Sequence, residues 1–392
     1  MVEGEGKPCK IYDKGSLVEE HPNLITQLAL DHYDVVVADG DHLEESYLAL
    51  AEKIDGLLAE GYSVVADYTG GTKTMGVALA MAATDRGQKL LLTTGPRTDL
   101  LRVRFGSVTE QSPTDSIQFH RTMKTAVTKD LQRYDYSGTS RLLEDMLRGT
   151  TLTRDQKQLV RDLRNWSAAL DAWDRFQHNE AFELLSNLRR HRSILGLAQR
   201  LEKVMTSRAG LDKDFEPRYR STRAHGYEVL EDLILNAYRR AHQKRYDDAV
   251  ARLYRALELL AQLRLKSAHG IETGSVEEEQ VPQEYRSFCD FSSGRAKLGL
   301  FKAYELLKHL PGDSLGESFK TVEGSLRNAL DARNGSILAH GFQPVDLDLW
   351  GKIEKEVVTF MKASLQSLLG KEYIFPEQLP SEVPLKMSNP QE

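Results

Sequence analysis

Ser63-Val-Val-Ala-Asp67-Tyr68-Thr69-Gly70-Gly71-Thr72-Lys73-Thr74-Met75-Gly76, continued by Val77-Ala-Leu-Ala-Met-Ala-Ala, is the stretch that decides the class of the N-terminal part. A short apolar run ends at an aspartate, two glycines follow, and a threonine opens a run of strong helix formers. That order reads as strand, tight loop and helix. The glycines let the backbone turn and come close to a ligand. The first amides of the helix have no intrahelical acceptor, and the helix dipole favours negative charge there. Thr69, Thr72 and Lys73 add two hydroxyls and a cation, which together suit a phosphodiester. Taken alone, Gly-Gly-Thr-Lys also fits a plain turn with a threonine cap. It is not a phosphate loop of the Walker type, because no glycine precedes at the required spacing.

Outward from this stretch, the first 106 residues alternate between strand and helix patterns. Short apolar runs at Cys9 to Tyr12, Asp34 to Ala38, Tyr62 to Ala66, Lys89 to Thr93 and Leu101 to Phe105 are separated by helical periodicity at 19–31, 42–60 and 72–86. Continuous valine runs suit a parallel sheet covered on both faces. The expected class is a Rossmann-like α/β domain, which binds ligands at the carboxyl ends of its strands. Residues 107–120 read as a Ser/Thr-rich connector.

Beyond the connector the pattern is helical. Leucines recur at helical spacing from Thr122 to about Ser207, and Trp166 and Trp173 continue one apolar stripe, as core residues do. Asp212 to Arg223, with Pro217, marks a boundary. Two long helices are expected at Tyr227 to Gln243 and Tyr246 to Lys266, then others near 297–309, 316–340 and 346–369. In the second of the long helices Arg255 and Glu258 stand in position to pair at i, i+3. The proline-bearing end, Phe375 to Glu392, reads as extended or disordered.

Composition bounds the rest. The 392 residues suffice for two or three domains, and 40% hydrophobic with 28% charged residues is ordinary for a globular chain. No run has the length of an apolar membrane span, and the first residues carry no signal-peptide core, so a cytoplasmic protein is expected. Cys9 and Cys289 suggest neither a disulfide framework nor a cysteine metal site. The net charge of -6 is unevenly spread. Residues 121–272 hold 29 Lys and Arg against 21 Asp and Glu, whereas the flanking parts are acidic. A basic middle suits either a solvated helix surface or a phosphate backbone.

A second informative stretch, Leu326-Arg-Asn-Ala-Leu-Asp-Ala-Arg333-Asn334-Gly335-Ser336-Ile337-Leu338-Ala339-His340-Gly341, covers the end of the helical pattern at 316–340. In a helix, residues seven apart share a face to within roughly 20°. Arg333, Asn334 and His340 then offer a permanent cation, a carboxamide and an imidazole that titrates near neutrality. These groups could cut RNA without a metal: the imidazole relays a proton and the guanidinium steadies the phosphate as charge develops.

The wording Arg333-Asn334 to Ala339-His340-Gly341 resembles the Arg, Asn or Asp, then His signature of HEPN ribonucleases. Asp67-Tyr-Thr-Gly-Gly-Thr-Lys-Thr-Met resembles the ligand loop of CARF domains, the sensors of cyclic oligoadenylates in type III CRISPR systems. The sensor resemblance runs over about residues 34–106, and Tyr246 to Leu259 resembles the HEPN portion of the same proteins. The two motifs stand about 260 residues apart in the order expected of CRISPR-associated CARF-HEPN ribonucleases. Members of that family commonly open with a further apolar strand, loop and helix, where this sequence has the polar or small residues 1–8 before Cys9.

The resemblance implies the following organisation: an α/β Rossmann-like CARF sensor at 1–115, an all-α helical spacer at 116–222, an all-α HEPN bundle at 223–375 and a Pro-rich tail at 376–392. It implies a cyclic tetra-adenylate or hexa-adenylate activator held by Thr69, Gly70, Gly71, Thr72 and Lys73, with Thr94, Gly95 and Arg97 after the next strand and Lys14-Gly15-Ser16 as a further polar loop. It further implies catalysis by Arg333, Asn334 and His340 in a homodimer acting on single-stranded RNA, with 2′,3′-cyclic phosphate and 5′-hydroxyl products, no metal, no cofactor beyond the activator and no stable DNA binding. The alternatives are a non-catalytic cyclic-nucleotide sensor working through a partner protein, and a ring nuclease that degrades the cyclic ligand.

Overall fold

The computed structural model of the chain describes residues 9–13, 16–21, 29–37, 40–94, 108–112, 114–189, 191–219, 222–292, 294–334 and 342–384. It divides into two compact units, residues 1–125 with 146–155, and residues 126–145 with 156–392.

The first unit holds two small sheets. Strands β1 (Cys9–Asp13) and β2 (Ser16–His21) pair antiparallel, with Cys9 opposite His21. A three-stranded sheet follows in the order β3 (Val65–Asp67), β4 (Lys89–Thr94), β5 (Val108–Ser112). β3 and β4 are parallel, Val65 opposite Lys89, whereas β5 runs antiparallel to β4. Helix α1 (Leu43–Ala59) precedes β3, and α2 (Lys73–Asp85) crosses from β3 to β4. Ala78, Ala82 and Ala83 are fully buried on α2, so small side chains bring that helix close to its neighbours. Ala51, Ile54, Ala66 and Leu90 complete the core.

The sheet differs from the fully parallel one expected. Residues 34–37 of the valine run form no strand, and Val35 and Val37 are 50% and 87% exposed. β propensity reports the fit of a side chain to a packed pleat, and this run has no neighbouring strand among the described residues. The expected helix at 19–31 begins instead as β2, because Glu19, Glu20 and His21 find ladder partners in Ile11, Lys10 and Cys9 on β1. The connector is not a loop throughout. Its Val108 to Ser112 pairs with β4, Thr93 and Thr109 sharing a 2.9 Å hydroxyl hydrogen bond, and α3 (Thr114–Thr122) follows. The expected strand at Leu101 to Phe105 lies outside the described residues.

The second unit is helical: α4 (Thr128–Gln132), α5 (Tyr136–Gly149, whose last residues belong to the first unit), α6 (Arg154–Asp174), α7 (His178–Ser186), α8 (Arg192–Ala209), α9 (Glu228–His242), α10 (Tyr246–His269), α11 (Leu300–His309), α12 (Ser314–Asn334) and α13 (Leu347–Leu369). Trp166 and Trp173 are fully buried.

Three of its helical hairpins, α4/α5, α6/α7 and α9/α10, close with the same turn. Each turn has a left-handed residue, Tyr134, Phe176 or Lys244, at φ of 55°, 60° and 60°. The amide of that residue bonds the carbonyl three positions back, and the next amide bonds the carbonyl five back. The distances are 2.8 and 2.8 Å, 2.8 and 2.8 Å, and 2.8 and 2.9 Å. This is the Schellman arrangement, which satisfies the last carbonyls of the first helix. Five residues on, Thr139, Ala181 and Ala249 are small and fully buried, letting the second helix approach the first.

Helices α9 to α13 enclose one large core through residues such as Leu230, Leu253, Leu260, Phe319, Val357 and Met361. Tyr304 stacks on Phe319 with ring centres 4.6 Å apart. The start of α12 is fixed closely. Asp313 accepts from the amides of Leu315 and Gly316 at 3.0 and 2.9 Å, and from Arg264 and His269 at 2.7 and 2.8 Å. A Cβ at Gly316 would stand 2.2 Å from the Leu307 carbonyl oxygen, so only glycine permits this crossing of α11 and α12.

Candidate functional sites on the β3–α2 loop and helix α12

The Gly-Gly-Thr-Lys loop lies where the sequence predicts it, between the end of β3 and the first turn of α2. Because β3 and β4 are parallel, Asp67 and Thr94 end at the same edge of the sheet, the edge that receives ligands in α/β folds. Thr69 ties the two strand ends together. Its hydroxyl accepts from the Thr93 amide at 2.8 Å and donates to the Asp67 carboxylate, which also accepts the Thr69 amide at 2.9 Å.

Thr72 caps α2. Its oxygen accepts from the Met75 amide at 3.2 Å and donates to the Gly40 carbonyl at 2.8 Å. Both threonine hydroxyls therefore hold the loop in shape. What the loop presents outward is the exposed Gly70-Gly71 backbone, with Gly71 at φ 101°, and the exposed Lys73. The Lys73 ammonium makes no ion pair or side-chain hydrogen bond among the described residues. The first turn of α2 carries no acidic residue, so dipole and lysine act with the same sign. Thr94 contributes the last backbone position of β4, while Gly95, Arg97 and Lys14-Gly15 lie outside the described residues.

In the second unit, α12 delivers the other motif. Its buried positions Phe319, Leu326 and Leu330 set it against the bundle, and Arg333 follows Leu326 by seven residues and Phe319 by fourteen. Arg333 and Asn334 are the last residues of the helix, and His340 and Gly341 lie outside the described residues. The expected pair on α10 is present: Arg255 donates to Glu258 and to Gln262, each at 2.9 Å. No cluster of His, Cys, Asp and Glu with metal-binding geometry occurs among the described residues. None of the described helices is long and apolar enough to cross a membrane.

Residues 218–364, which take in α9 to α12 and most of α13, match the family model described as the Csm6 HEPN domain. At the level of the whole chain, the fold is similar to that of Enterococcus italicus Csm6 bound to cyclic hexa-2′-fluoro-hexa-dAMP. The TM-score is 0.52 at 15% identity, covering 86% of this chain and 77% of that one. No curated protein sequence matches the chain. The chain is thus similar in its helical half, and in its fold, to CARF-HEPN accessory ribonucleases of type III CRISPR systems.

Proposed function

We propose that the protein is a ribonuclease of type III CRISPR defence, switched on by a cyclic oligoadenylate bound at the β3–α2 loop. The observation that carries this reading is the Csm6 HEPN match over residues 218–364, within which α12 ends on Arg333-Asn334. The exposed Gly70-Gly71 backbone and the exposed Lys73 are suited to a phosphodiester ring, and the Enterococcus relative in fold is bound to a cyclic hexanucleotide.

In the reaction the 2′-hydroxyl of the RNA attacks the adjacent phosphorus and the bond to the 5′-oxygen breaks. A 2′,3′-cyclic phosphate and a 5′-hydroxyl result. His340 moves the proton, Arg333 holds the phosphate as negative charge builds, and Asn334 orients Arg333 or the ribose. A homodimer pairs two copies of the set around one strand, and a two-fold pocket suits a symmetric cyclic activator.

The test is cleavage of a fluorescent single-stranded RNA in EDTA with cyclic tetra-adenylate, cyclic hexa-adenylate or no activator. We expect cleavage with one ring size, none with His340→Ala, and unchanged activator binding by that variant. Full cleavage by His340→Ala would overturn the catalytic assignment. Activator binding by the wild type without cleavage would favour the non-catalytic sensor.

A further inference from the structure

The three equivalent turns of the helical unit converge on a cavity of about 800 Å³, within the range of small-ligand sites. Arg133, Tyr134, Asp135 and Tyr136 come from the first turn, Asp174, Arg175 and Phe176 from the second, and Arg240, Gln243 and Arg245 from the third. Arg141 and Arg252, from the helices that follow the first and third turns, complete the lining with Ser137 and Asp171, so six arginines face three aspartates.

The acids of the second turn are already engaged by cations, and Asp135 of the first accepts the Gly138 amide. Asp174 pairs with Arg240 and with the buried Arg239, and also accepts from Asn236. Asp248, behind the wall, serves both Arg245 and Arg252. Arg175 is held by Asp171 at 2.9 Å. Arg133 and Arg141 are exposed and make no ion pair within 4 Å among the described residues, although their charges act on Asp130 of α4.

Arg240 is buried, and its Nε has no hydrogen-bond partner among the described residues. Burial first, then the charges of Arg252 and Arg245, hold its pKa below the ordinary arginine value. An anion in the cavity would relieve that repulsion. Two half-buried rings, Tyr134 and Phe176, stand at the left-handed positions of their turns, beside these cations. Arginines for phosphate and aromatic faces for a base are the two halves of nucleotide recognition.

We propose that this cavity, lined by residues other than those named for either site above, is a nucleotide site that takes a phosphate ester either as a free nucleotide or as one residue of an RNA strand. This inference goes beyond the ribonuclease reading and does not depend on it.

The test uses the full chain and two probes: ATP in calorimetry, and a fluorescent 2′-O-methyl RNA decamer, which lacks the 2′-hydroxyl nucleophile, in anisotropy. Wild type is compared with the exposed double variant Arg133→Glu/Arg141→Glu, whose melting temperature is checked first. Binding of either probe that falls at least about tenfold in the double variant and weakens with salt supports the site. ATP binding then identifies a free nucleotide, and decamer binding alone identifies a strand. Failure of both probes to bind at 100 mM salt, or binding indifferent to the double reversal, would overturn it. RNA cleavage that persists while these probes fail leaves the ribonuclease reading standing and removes only this one.

Discussion

Arg239 donates from Nε to the Asp174 carboxylate at 2.6 Å, and the guanidinium side chain is wholly removed from solvent. The same carboxylate pairs with Arg240 and accepts the Asn236 amide at 2.9 Å, so one acid of α6 holds three residues of α9. Burying a charge is tolerated only while it stays paired.

Asp174→Asn keeps the shape and removes the charge, leaving two buried guanidinium groups with no carboxylate between them. We expect a loss of about 3 kcal/mol or more in the stability of the helical unit, the range for breaking one side of a buried ion pair. Urea denaturation followed by helical circular dichroism measures it. A change below about 0.5 kcal/mol would mean that water or Asp232 already compensates these arginines.

The Thr69 hydroxyl bridges Asp67 and the Thr93 amide across the two strand ends. Thr69→Val is nearly isosteric and loses both bonds. The loss should be about 1 kcal/mol in stability of the first unit, while Thr69→Ser restores most of it. Activator affinity should fall with the valine even though Thr69 need not touch the ligand, because the Gly70-Gly71 amides lose their fixed direction. Titration of cyclic hexa-adenylate against the three proteins separates the outcomes: equal affinities would show that the bridge does not shape the loop.

The helical half was legible because its signal is local and repeated. The spacing of Ala249, Leu253, Leu257 and Leu260 predicts a helix over Tyr246 to Lys266, and α10 runs Tyr246–His269. The strand signal is weaker, since a strand exists only with a partner that sequence does not name. Val35-Val36-Val37 therefore reads as a buried strand yet lies open, while the polar Val108 to Ser112 is a strand because β4 offers it a ladder. At the β3–α2 loop, the strand, the turn and the helix lie where the spacing predicts them. Spacing alone does not show that the two threonine hydroxyls are spent on holding that turn, with Gly70, Gly71 and Lys73 left exposed. The arginine cavity was hidden for a different reason: its wall is drawn from residues 133 to 252, and no single stretch of sequence brings those cations together.

His225 Nε2 lies 3.4 Å from Glu231 and 3.5 Å from Glu228. Burial by itself would lower its pKa, but the contact with Glu231 and the charges of both glutamates outweigh that and raise it above the ordinary histidine value. A folded-state value above the unfolded one stabilises the fold fully below about pH 6.5, and the gain is lost as pH rises through the higher folded value. The melting temperature of the helical unit should therefore decline across the range just above pH 6.5. His225→Gln should flatten that decline; superimposable profiles of the two proteins would rule the histidine out as its source.

Leu379 lies in the segment that the sequence suggests is extended or disordered, yet it is 1% exposed. The segment's described residues, 375–384, form neither helix nor strand and are anchored. Tyr136 donates to the Pro380 carbonyl at 2.9 Å, Arg200 donates to the Glu377 carbonyl at 2.5 Å, and Gln378 accepts from Arg239 at 2.5 Å while donating to the Leu235 carbonyl at 2.9 Å. Residues of α5, α8 and α9 are thus joined through one strap, and Leu379 is its apolar anchor. Truncating a fully buried leucine costs about 2 to 5 kcal/mol, with the lower end where the site can collapse, as at a strap. We expect Leu379→Ala to lose about 2 kcal/mol in urea denaturation, and Glu382→Ala, at an exposed position of the same segment, to lose nothing measurable. Limited proteolysis gives the second readout, since release of the strap opens residues 370–384 to cleavage before the helices are cut. If Leu379→Ala melts and resists protease like the wild type, the strap lies on the bundle without holding it.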